Sequence, residues 1–150
     1  MRRFSAAMCL TLLCAVASAD APQTTMDVIA AAQRDTTRPL IDYCVMHQPD
    51  LKEELEASYS RYGEKIDEAL APLIEEVRQD PSALRSEAEL QSLRTSLMTQ
   101  AQQKINRLQV ADSAHYCRWM ITQLDGITVP GFRKKMADGY ELFSKMLAAD

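Results

Sequence analysis

Apolar residues recur at steps of three and four from Leu51 through Leu55, Tyr59, Tyr62, Ile66, Leu70 and Leu73 to Val77, with Glu and Lys between them. That period predicts one long amphipathic helix, in which Gly63 and Pro72 are exceptions and Pro72 should bend the axis. Upstream, Thr24 or Thr25 can cap a first helix with Asp27 in its opening turn and Met26, Ile29, Ala30, Leu40, Ile41, Cys44 and Val45 as its inward stripe. Pro39 falls inside that stripe, so a kink near residues 35–38 or a pair of short helices is expected, and Pro49-Asp50 ends the element.

Downstream, Ser86 with Glu89 fits a capping box, and Leu90, Leu93, Leu97, Ala101, Ile105 and Leu108 continue from it as one stripe. After Leu108 the pattern moves to a second row, Val110, Ala114, Cys117, Ile121 and Leu124, displaced by about half a turn on the 3.6-residue period. A third helix reaching from Ser86 to Leu124 must therefore touch neighbours on two sides or bend. Asp125-Gly126 stops it, and a loop through Thr128, Pro130 and Gly131 leads to a last helix with Phe132, Met136, Tyr140, Phe143 and Leu147 on one face.

The pattern thus predicts an all-α fold: four mostly antiparallel helices with kinks, joined by short turns, the first and third pointing the same way. The N-terminus stands outside it. Met1-Arg2-Arg3, an apolar run from Phe4 to Val16 and the small residues Ala17-Ser18-Ala19 have the order of a secretory signal peptide, so residues 1–19 are expected to be cleaved and residues 20–150 to form a single helical domain. Cys14 follows Leu12-Leu13, where a lipoprotein signal wants a small residue. No second stretch is a candidate membrane span, and the expected location is periplasmic or secreted.

Composition narrows the class further. Loss of Arg2 and Arg3 moves the formal net charge from -4 to -6, and the only basic cluster is Arg133-Lys134-Lys135, which argues against nucleic acid as a partner. Four glycines and six prolines among 150 residues, with 47% hydrophobic content, suit a packed helical protein.

Cleavage would leave two cysteines, Cys44 and Cys117, and two histidines, His47 and His115. In an exported chain the cysteines are expected to pair, and a third helix starting at Ser86, with residues 80–85 as a turn, brings them to similar heights. A zinc or copper site from Cys44, His47, His115 and Cys117 is the sharper alternative, but His115 and Cys117 stand two apart and point to opposite sides of a continuous helix. The methionines at 26, 46, 98, 120, 136 and 146 are scattered singly, as gap-filling core residues are.

No nucleophile with a base, no phosphate-cradling glycine loop and no convergent carboxylate pair is legible, since Glu53-Glu54 and Glu75-Glu76 are adjacent and diverge on a helix. His47 near Asp50 reads as a helix-end cap in preference to a base. No catalytic residue and no cofactor are expected. The reading that remains is a non-catalytic binding or accessory module acting on a protein partner, of inhibitor or immunity type. His115, Tyr116 and Met120 are its candidate contacts; Tyr43 and Trp119 read as core, and Tyr59 is divided between core and interface. The alternatives are a carrier of an apolar small molecule, which needs a cavity of several hundred Å³ lined by Leu, Ile and Met, and the Cys/His metal site.

Overall fold

The computed structural model describes residues 24–80 and 86–147, with side chains as far as residue 141. The expected signal peptide and the turn at residues 81–85 lie outside the described residues. Five α-helices are seen among them: α1 Thr25–His47, α2 Lys52–Arg78, α3 Glu87–Asn106, α4 Ser113–Gly126 and α5 Val129–Leu147. Single 3-10 turns at Pro49–Leu51 and Val110–Asp112 precede α2 and α4.

Capping follows the sequence. The Thr24 hydroxyl accepts from the Asp27 amide while the Asp27 carboxylate accepts from the Thr24 amide at 2.7 Å, and Ser86 and Glu89 repeat this reciprocal pair at the start of α3. At α5 the Thr128 hydroxyl accepts from the Gly131 amide at 3.3 Å. A Cβ at Gly131 would stand 2.8 Å from that same oxygen, so a larger residue there would have to displace the capping hydroxyl.

Both internal prolines leave their helices continuous, and at Pro72 a neighbouring helix supplies the missing donor. Pro72 has no N–H for the Glu68 carbonyl. Arg133 of α5 supplies donors instead, Nη2 to Glu68 O and Nε to Ala69 O, both at 3.1 Å. Pro39 likewise offers nothing to the Asp35 carbonyl, and in that turn the Tyr59 and Tyr62 hydroxyls of α2 donate to the Arg34 and Gln33 carbonyls, each at 3.2 Å. Arg133→Met should therefore lower unfolding free energy by roughly 1–2 kcal/mol, the scale of a half-exposed charged hydrogen-bond pair. In a Pro72→Ala background, where residue 72 regains its amide, the penalty should shrink; equal penalties in a denaturant double-mutant cycle would refute the link.

The α1 and α2 helices run antiparallel, tied near their connection by Arg38 to Glu56 at 2.8 Å and at the far end by Arg78 to Asp27 at 2.9 Å. The predicted third helix is corrected: it is two helices, α3 and α4, separated at residues 107–112. Two apolar rows half a turn apart cannot both face one core from a straight helix, and the chain turns back between them. With that turn the direction of the Cys117 segment is also corrected. Gln48 donates to Ser113 at 2.8 Å and Cys44 meets Cys117, while Asp125, at the other end of α4, lies against Ser58 and Arg61 of α2. Thus α4 runs opposite to α1. Helix α5 carries on along α2, from Arg133 beside Glu68 to Tyr140 beside Val77, so α4 and α5 cover successive lengths of α2.

Met26, Ile41, Leu55, Ile66 and Leu70 are the largest fully buried apolar side chains, with the two cysteines among them. Helix α3 packs along α1 and buries only Leu90 and Ala101. Among the described residues no helix is long and apolar enough to cross a membrane.

Two ion pairs make acid stability a test of this packing. Hydrogen bonds from the Arg61 guanidinium, helped by Ser58, hold the Asp125 carboxyl below the usual carboxylate range, and Arg38 does the same for Glu56. Groups depressed in the folded state stabilise above their unfolded pKa, and that contribution disappears as pH falls through the folded value. Melting temperature should fall as pH drops below about 4, and Asp125→Asn should flatten the fall. An unchanged acid slope in the variant would count against this role of Asp125.

Candidate functional site

The end of the molecule where α1 stops and α4 starts gathers the rings of Tyr43, His47, Tyr116 and Trp119. Cys44 and Cys117, both fully buried, stand at disulfide distance with Cα atoms 5.5 Å apart and a sequence separation of 73. The rings begin at the residue before each cysteine, Tyr43 and Tyr116. Tyr43 packs against His47 on α1 with centroids 4.5 Å apart, meets Tyr116 of α4 edge-on at 6.4 Å, and Tyr116 in turn lies 5.6 Å from Trp119.

This row passes from inside to outside. Tyr43 is buried, Tyr116 half-buried and Trp119 43% exposed. Burial, with the nearby Tyr43 hydroxyl, pushes the Tyr116 phenol up to about 12. Neither the Tyr43 nor the Tyr116 hydroxyl has a hydrogen-bond partner among the described residues, although both oxygens are buried. That is a cost the packing of the rings must offset. Met46 on α1, 69% exposed, and Val110 before α4, 60% exposed, add apolar surface at this end.

Beside Trp119 an open groove of about 550 Å³ follows the break between α3 and α4. Leu108, Tyr116 and Trp119 are its apolar part, and Lys104, Arg107 and His115 its basic and polar side, with Asp112 the one acid on it. A second groove, of about 430 Å³, lies at the opposite end of α1, where Met26, Leu73, Val77 and Tyr140 are edged by Glu76 and Glu141. Both are open to solvent with charged rims, unlike the enclosed Leu, Ile and Met cavity that an apolar carrier needs.

The predicted site residues separate. His115 is exposed on the groove, and Tyr116 lines the same groove while its hydroxyl is buried. Met120 is corrected: at 5% exposure it packs into the core and presents no surface. Of the four candidate metal ligands, Cys44 and Cys117 are joined to each other, so their thiolates are not free to bind metal. His47 packs on Tyr43 and His115 faces the groove. Among the described residues no group of three or more His, Cys, Asp or Glu is placed to hold a metal ion.

Trp119, read from the sequence as core, is exposed as well, and the register on α4 contains the signal. At about 100° per residue, Trp119 lies about 200° round the helix from Cys117, His115 about 160°, and Met120 only about 60° away. The buried arc of Cys117, Met120, Ile121 and Leu124 therefore leaves Trp119 and His115 on the far side. Comparison with known protein families, with curated proteins and with solved structures finds no match for this chain.

Proposed function

We propose that the domain of residues 20–150 is an exported, non-catalytic binding module that holds a protein partner through the end carrying the disulfide. It would act as an inhibitor, immunity or accessory factor. The observation that supports this reading is the exposure of the chain's single tryptophan on a pinned helix. A tryptophan held in place by its neighbours loses little conformational freedom on association, and such residues supply a disproportionate share of interface energy. The disulfide and the Gln48–Ser113 bond fix the start of α4 against the end of α1.

The test is capture from the source organism's own cell envelope with two matched baits, the wild-type domain and Trp119→Ala. A partner retained by the first and lost by the second is expected. A partner retained equally by both would place the interface elsewhere, and recovery of a bound lipid or other small molecule with no protein would replace this reading with a carrier.

A further inference from the structure

The two grooves differ in charge. All four arginines of α1 and α2 are engaged, Arg34 with Asp67, Arg38 with Glu56, Arg61 with Asp125 and Arg78 with Asp27. Lys104 and Arg107, at the end of α3, are exposed and form no ion pair among the described residues. They stand on the rim of the groove whose apolar part is Leu108, Tyr116 and Trp119, in a chain of net charge -4. Among the described residues Asp112 is the only carboxylate lining that groove. In a mostly acidic protein, two cations with no ion pair among the described residues, set beside an exposed tryptophan on one groove, make a surface complementary to an apolar anchor accompanied by negative charge.

We propose that this groove receives a segment of a protein partner in which an apolar side chain is flanked by carboxylates: the apolar group against Trp119, Tyr116 and Leu108, the carboxylates on Lys104 and Arg107. This deepens, and rests on, the reading of the disulfide end as an interface. The groove is open along its length and half apolar, which suits a short peptide segment. The cations on its rim set partner choice and association more than total affinity, so binding weakens as salt rises.

Because Trp119 is the only tryptophan, its fluorescence reports occupancy directly. The purified oxidised domain is titrated with the end-blocked peptide Glu-Asp-Leu-Phe-Glu-Asp and with its uncharged counterpart Gln-Asn-Leu-Phe-Gln-Asn, neither of which contains tryptophan. A saturable change is expected with both, with the acidic peptide binding about tenfold tighter in low salt and losing that advantage in Lys104→Glu/Arg107→Glu. Both substituted residues are exposed, so the melting temperature of the variant should match wild type, which separates lost binding from lost folding. Equal affinity for the two peptides, an unchanged preference in the charge-reversed variant, or no saturable response would each overturn the proposal. A response to phosphatidylglycerol vesicles in place of the peptides would assign the groove to a lipid surface. An envelope partner that depends on Trp119 but is held undiminished by Lys104→Glu/Arg107→Glu would leave the binding module standing and remove only its preference for acidic segments. Loss of any Trp119-dependent partner would remove the module reading itself.

Discussion

Replacing Cys44 and Cys117 together with alanine is expected to lower the unfolding free energy by about 4 kcal/mol, the chain-entropy cost of opening a loop of this length. For a domain of this size that corresponds to a fall in melting temperature of roughly 10–20 °C. The loop spans 73 residues and contains all of α2 and α3, so the bridge restrains more than half of the folded domain in the denatured chain. The sulfurs are fully buried, and alanine also removes some packing. Reduced wild-type protein keeps both sulfur atoms, and comparing the two separates the effects. If chain restraint dominates, reduced wild type and the alanine variant should lose similar amounts in urea titrations. A much smaller loss on reduction would show that sulfur packing carries the stabilisation, and less than about 2 kcal/mol in both would mean that the denatured chain is already compact.

The local consequence concerns α4. It is the shortest of the described helices, and it is held to α1 by the disulfide and Gln48 and to α2 by Asp125. Opening the bridge leaves the aromatic row spanning two elements with one fewer tie. Partner affinity should therefore fall further on reduction than on Arg61→Ala, which loosens the far end of α4 and leaves the Trp119 end fastened.

Much of this arrangement is legible in the chain, for reasons that differ by residue. Ser86 is read correctly because a capping box is a local device, complete within four residues, while the choice left open between Thr24 and Thr25 falls to Thr24. The cysteine pair is read correctly because cleavage of the expected signal would leave no other choice. The five-helix count and the reversal of α4 are missed because the shift of stripe after Leu108 admits two physical solutions, a helix with two contact faces or a chain reversal, and local periodicity does not distinguish them. Val110, on the inward stripe by periodicity, is exposed because it belongs to the 3-10 turn where the helical period no longer holds. The roles of Arg133, Tyr59 and Tyr62 were out of reach. Pro72 announces a Glu68 carbonyl without a helical donor, but only the packing of α5 decides that Arg133 meets it.

Met120→Ala should cost roughly 2–4 kcal/mol of stability, whereas Trp119→Ala beside it should leave the melting temperature within a few degrees of wild type. Met120 is 5% exposed and packs with Cys117, Ile121 and Leu124, so truncation removes transfer energy and opens a cavity where the disulfide limits collapse. Trp119 is 43% exposed and touches Tyr116 on one side, so the folded state loses only part of a ring contact. Partner affinity should reverse the order. Loss of an aromatic anchor at an interface costs at least about 2 kcal/mol, some thirtyfold in Kd, while Met120→Ala protein that remains folded below its melting point should bind within about threefold of wild type. Titration calorimetry on both variants, well below the lower melting temperature, reads both quantities on the same samples. If Trp119→Ala melts low and binds normally, the ring is part of the packing around the disulfide. The search for the partner surface would then move to the acidic groove edged by Glu76 and Glu141.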